Sequence, residues 1–267
     1  MTDNKDSESD GLFNFKKYWG PNEYRSRIVF ERNTNMRCVY CGEDADSREH
    51  CPSKAFLSKP YPLDLPIVPA CQKCNNGYSQ DELYVKSFID LFKAYSLGKK
   101  LKVDFARKEV RDAKEKFDYI IEKGEIEFDS RIERIIIKLT ICHAAFELTE
   151  GYYSDDWNGI PEFVSYTFRP NMTIDEIASY DKFIYMNDKI LPIVGSRVFD
   201  NIYVVQPVLM STDKTEALKA PLALMTWSDI QNENYRYICW FEQEKLCIRI
   251  VIDEFLFAKV VFKPIME

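Results

Sequence analysis

The segment running from Cys38-Val39-Tyr40-Cys41 through Arg48-Glu49-His50 to Cys71-Gln72-Lys73-Cys74 carries two CxxC pairs around one of the two histidines in 267 residues. Two such pairs supply four thiolates, the soft tetrahedral donor set of a structural Zn²⁺ site. Residues 42–70 between the pairs exceed the loop of a short zinc ribbon, so something is built inside that loop. Free, buried cysteines are the plainer reading of the four, and the paired spacing argues against it. Zinc that staples two turns together while His50 stands between them suits chemistry on phosphodiesters.

Three further stretches extend the pattern: Glu49-His50-Cys51-Pro52-Ser53-Lys54, Leu65-Pro66-Ile67-Val68-Pro69-Ala70 leading into Cys71, and Asn75-Asn76 followed by Ser79-Gln80-Asp81-Glu82. Together with the CxxC pairs they resemble the zinc-containing HNH endonucleases over roughly residues 30–85, about a quarter of the chain. The resemblance implies a ββα-metal finger, a two-stranded ribbon followed by a helix, with Cys38, Cys41, Cys71 and Cys74 holding the zinc. It implies His50 as general base, and Glu49 with Asn75 as ligands of a catalytic Mg²⁺ or Mn²⁺. DNA is then the partner, with Arg48, Lys54 and Lys73 as its contacts. Restriction, phage defence or a mobile element is the implied setting. The family's middle Asn falls a few residues before the second CxxC, where this chain reads Asp64-Leu65-Pro66-Ile67. Orientation of the His50 ring therefore falls to another group, a backbone carbonyl or Asp64.

The residue types fit the chemistry. Phosphodiester hydrolysis needs a base for water and a divalent ion for the charge on the phosphoryl and leaving oxygens. An imidazole near its ordinary pKa of about 6.5 accepts a proton at physiological pH. Glu49 offers a hard carboxylate oxygen and Asn75 a carbonyl oxygen, both acceptable to Mg²⁺.

Composition bounds the reading. The net charge of −7 opposes tight, non-specific nucleic-acid binding. Residues 31–80 balance as well, with Arg32, Arg37, Arg48, Lys54, Lys59 and Lys73 against Glu31, Glu43, Asp44, Asp46, Glu49 and Asp64. Duplex affinity is expected to be modest and salt-dependent. A zinc-dependent module that binds nucleic acid or protein without catalysis is accordingly the alternative function. No stretch approaches the roughly 20 apolar residues of a membrane span, and no signal-peptide core opens the chain. The four cysteines outside the pairs, Cys51, Cys142, Cys239 and Cys247, lack the spacing of a disulfide framework. A cytoplasmic protein is expected.

The expected fold is α+β: an N-terminal zinc-stapled finger, a helical middle and a C-terminal antiparallel β-rich domain. Residues 1–11 read as a disordered leader, 12–98 as the finger domain and 99–267 as helices plus sheet, separable from the finger and open to a protein partner. Leu12 to Tyr18 and Tyr24 to Phe30, parted by the turn Gly20-Pro21-Asn22, are expected to pack on the finger. Pro60, Pro62, Pro66 and Pro69 predict that 52–69 is a loop with little regular structure. Ser79 with Glu82 reads as a capping box opening a helix that ends near Gly98. Charge-rich 105–123 reads as a second helix, and 131–150 as the clearest one, with Ile132, Ile135, Ile136, Leu139, His143 and Phe146 on one face and Gly151 as the stop. Strands are expected at 163–168, 182–185, 202–208, 222–227, 235–241, 246–252 and 255–262, the last three as a meander.

Two other candidates read as structural. His143, between Leu139 and Phe146, is expected to be a core histidine with a local partner rather than a second site. Cys51 and His50 are neighbours whose side chains point apart, which disfavours a nucleophile dyad. Tyr203, Trp227, Tyr235, Tyr237 and Trp240 read as core or sheet surface in preference to base-stacking groups.

Overall fold

Strand alternation and a few polar side chains shape the first unit of the computed structural model. Residues 37–63, 65–99, 104–124, 128–148, 159–180, 182, 184–185, 202–205, 208–210, 215–217 and 222–263 are described by the structure. Ser47–His50 (β1) pairs antiparallel with Ile67–Ala70 (β2), placing Glu49 opposite Val68 and His50 opposite Ile67. Ser47 Oγ donates to the Ala70 carbonyl, and the Val39 amide donates to the Pro69 carbonyl. Pro69 thus gives up a donor yet still ties the first CxxC turn to β2. At Gly42 the turn after Cys41 needs φ of 77°, in the left-handed region that glycine enters freely.

Helix α1, Gln72–Gly77, follows directly, with Asp46 Oδ1 accepting from the Gln72 amide. Helix α2, Ser79–Ser96, runs on from it. α3 is Lys108–Lys123, closed by Gly124 in the left-handed conformation, and α4 is Ser130–Leu148. Asp129 Oδ1 caps α4 by accepting from the Arg131 and Ile132 amides.

The C-terminal part is a mainly antiparallel arrangement. A five-stranded sheet has the order β3-β12-β11-β10-β9, built from Pro161–Phe168 (β3), Ser228–Gln231 (β9), Tyr235–Glu242 (β10), Lys245–Ile252 (β11) and Leu256–Phe262 (β12). Ile184–Tyr185 (β4), Leu222–Met225 (β8) and Ile202–Val205 (β5) form a second sheet, and Val208–Met210 (β6) pairs with Thr215–Ala217 (β7). A short helix, α5 at Ile174–Tyr180, lies between β3 and β4 in the chain. The molecule is therefore a mixed α+β protein with a helical middle and a C-terminal antiparallel sheet.

One apolar core runs from Val39 to Phe262. Phe88 and Phe92 of α2 meet Phe168 of β3, Phe117 of α3 and Phe255 in a single aromatic group. Helix α4 is mostly buried between this group and the sheet, and its polar residues Lys138, Thr140, His143 and Glu147 are buried with it.

Several expectations change. The 52–69 loop holds a 3₁₀ turn at Lys54–Phe56, and Ile67–Ala70 is a strand. Proline at 69 is tolerated because β2 belongs to a two-stranded ribbon. The capping box does not form: Ser79 Oγ donates to the Asn76 carbonyl, while the Glu82 side chain turns inward to Lys138. The run at 202–208 divides between β5 and β6. The leader, Leu12 to Tyr18, Tyr24 to Phe30, Gly20-Pro21-Asn22, Asp64 and Gly151 lie outside the described residues. No helix among the described residues is long and apolar enough to cross a membrane.

Candidate metal centre and the His50 strand

The two CxxC turns converge. The ligand atoms of Cys38, Cys41, Cys71 and Cys74 all lie within 4.8 Å of one another. Cys41 Sγ and Cys71 Sγ are 3.8 Å apart, which matches the roughly 3.8 Å edge of a sulfur tetrahedron around zinc with bonds near 2.3 Å. Local backbone geometry builds this. The Cys38 amide donates to the Glu43 carbonyl and the Gly42 amide to the Cys38 carbonyl, curling the first pair into a tight turn. Cys71 stands at the start of α1, its Sγ accepting from the Cys74 amide at 3.4 Å.

The electrostatics fit a cation. A backbone N–H from Cys74 draws the Cys71 thiol below its usual range. Burial, with the Cys71 and Cys41 sulfurs beside it, pushes Cys74 well above. Four sulfurs this close oppose one another's ionisation until a divalent ion compensates them. The donor set and spacing fit one Zn²⁺.

His50 ends β1 and is half-buried. Burial, and then the neighbouring Lys54 ammonium, lower its pKa to about 4, so the ring is neutral at physiological pH. Nδ1 is buried without a hydrogen-bond partner, which leaves Nε2 as the nitrogen able to meet a water. Arg48, Lys54 and Lys73 are exposed; Lys54 is the one whose charge acts on His50, and its Nζ lies 5.4 Å from the centre of the Tyr61 ring.

Asn75 reaches β1 from α1: its Nδ2 donates to the Arg48 carbonyl at 3.2 Å and to Ser47 Oγ at 3.4 Å. Its amide is thereby fixed with the carbonyl oxygen turned from those two contacts. Glu49 goes the other way. The period-2 alternation of a strand sends it inward, 5% exposed, where Oε1 lies 3.3 Å from Lys138 Nζ and Lys138 also binds Glu82. Burial pushes the Glu49 pKa up despite the Lys138 charge. Burial alone would pull Lys138 down, but Glu49 and Glu82 together raise it, so the ammonium stays charged. The structure thus sets His50 and the neighbouring Lys54 at one end of β1, ties Asn75 toward the other end through Ser47 and the Arg48 carbonyl, and buries Glu49 against Lys138 on the opposite side of the strand.

Sequence reasoning had no access to the partner of Glu49. Lys138 lies 89 positions away, in line with Arg131 and Arg134 on the helix, and a lysine there ordinarily reads as a solvated edge. His143 is in the core as expected, though its partners are Cys51 and Tyr235. Trp227, Tyr235, Tyr237 and Trp240 are buried, which removes them as base-stacking surfaces.

No protein-family model, no curated protein and no solved structure matches the chain.

Proposed function

We propose that the chain is a zinc-stapled, HNH-type endonuclease that hydrolyses DNA phosphodiester bonds with the help of a divalent ion. The observation that carries this reading is the neutral, half-buried imidazole of His50 at the end of a ββα unit whose ends meet at four clustered thiols. In this reading the cysteine cluster is structural and the ribbon and helix are the ββα-metal finger. His50 Nε2 accepts a proton from the attacking water, with the Nδ1 proton supplied by the tautomer that leaves Nε2 bare. Asn75 offers its side-chain carbonyl oxygen, and Arg48, Lys54 and Lys73 hold the phosphate backbone. A bound Mg²⁺ or Mn²⁺ would stabilise charge on the phosphoryl and leaving oxygens. Glu49 becomes available to that ion only if its carboxylate leaves Lys138.

Two observations favour the second reading, a zinc-dependent binding module without catalysis. Glu49 is already neutralised by Lys138, and His50 Nδ1 has no acceptor to fix its tautomer. An orphaned buried N–H costs about 1–3 kcal/mol, so the productive tautomer is not favoured by its surroundings. Nicking of supercoiled plasmid with Mg²⁺, with Mn²⁺ and with chelator separates the readings. Divalent-dependent nicking supports the nuclease; DNA binding without nicking under any ion supports the module.

A further inference from the structure

Three consecutive residues at the end of β1 are each gripped by one helix. Glu49 Oε1 lies 3.3 Å from Lys138 Nζ, the His50 carbonyl accepts from Cys142 Sγ at 3.8 Å, and Cys51 Sγ lies 3.2 Å from His143 Nδ1. Lys138 and Cys142 are one turn apart on α4, and His143 follows. All three are buried, and α4 is itself anchored to the sheet where His143 Nε2 meets the Tyr235 hydroxyl at 2.9 Å and the Tyr237 hydroxyl donates to Glu147.

We propose that Lys138 is a positioning residue for His50, acting with Cys142 and His143 to hold residues 49–51 in one register against α4. A buried ion pair is a weak source of stability, because apolar residues of similar volume often do as well or better. What the pair supplies is facing. Side chains alternate along a strand, so an inward Glu49 obliges an outward His50, and a one-residue slip would exchange them. Lys138 has no other way of reaching the reacting groups: it is 1% exposed and spent on Glu49 and Glu82. The proposal deepens the nuclease reading and rests on it for the role of His50. The placement of the ring itself does not depend on that reading.

The test uses the full chain and the fact that it has two histidines, so that His50→Ala assigns the His50 ring signals in an NMR spectrum. Lys138→Met is compared with wild type at a temperature where both are folded and carry zinc. The expected result is that the His50 ring signals broaden or split as the ring samples several orientations. In divalent-dependent nicking kcat falls at least about tenfold with KM for DNA nearly unchanged, as for a small misplacement of a catalytic group. A merely structural lysine would lower activity only with the folded fraction. If Lys138→Met does not fold, Lys138→Met with Glu82→Gln leaves one buried carboxylate in place of two and is read the same way. Sharp, unshifted His50 signals, or wild-type kcat, in a folded variant overturn the proposal. If the wild type cleaves nothing, the nuclease reading falls and the NMR result alone decides the positioning.

Discussion

Cys51 Sγ lies 3.2 Å from His143 Nδ1, joining the residue after His50 to the middle of a helix 92 positions later. Neither side chain is exposed, and burial raises the Cys51 thiol well above its usual pKa. The contact is therefore a core hydrogen bond and not a nucleophile dyad. Cys51 and Cys142 are expected to resist alkylation in the folded chain and react only on unfolding, as mass spectrometry of labelled protein would show. His143→Phe strands the groups that met both ring nitrogens, and should lower stability by about 1–3 kcal/mol for each in a denaturant melt. Rapid labelling of Cys51 under native conditions would contradict this placement.

Lys138 is the most deeply buried charge that bridges β1, α2 and α4. Removing one partner of a buried pair leaves the other uncompensated, at about 3–5 kcal/mol. Lys138→Met should shift a denaturant transition by that amount. Because one apolar core crosses from Val39 to Phe262, helix and sheet signals should move together in a single transition. Survival of the sheet signal after the first unit has melted would show instead that residues beyond about 100 fold apart from it.

Stability should depend on His50 protonation with a defined sign. The folded pKa of about 4 lies below the ordinary 6.5, so between these values the unfolded chain binds the extra proton. The contribution of His50 is complete above pH 6.5 and is lost as pH falls toward 4. His50→Gln should remove that part of the slope, visible as a difference between the two stability-versus-pH curves across this window. Parallel curves would mean that the ring is not shielded as the structure has it.

The cysteine cluster predicts one zinc per chain. Elemental analysis of protein purified without chelator should give that stoichiometry, and Cys41→Ser or Cys74→Ser should lose the ion and destabilise the chain. A folded wild-type chain free of zinc would remove the cluster's role.

Much of this could be read in the sequence where local rules act. The apolar stripe on 131–150 gave α4, short β-type runs parted by turn residues gave β10, β11 and β12, and the CxxC spacing gave the thiol cluster. Ile67–Ala70 was hidden by its prolines, since a strand of four residues that contains one is recognisable mainly from its partner. At the site, His50 and Asn75 were legible as residue types. The inward turn of Glu49 was not, because it depends on Lys138, whose burial follows from packing among three elements. The failed capping box has the same cause: Glu82 exchanges the helix start for the buried ammonium.

The most direct measurement of the central claim is plasmid nicking by wild type and His50→Ala at matched zinc content and matched DNA affinity. The nuclease reading predicts divalent-dependent nicking by wild type, with a rate that does not change with His50 protonation above about pH 6, since the ring is already neutral. It predicts that His50→Ala loses on the order of 10²–10⁴ in rate, without rescue by added Mg²⁺ or Mn²⁺. Equal nicking by the variant, or binding without nicking by the wild type under any divalent ion, would contradict it.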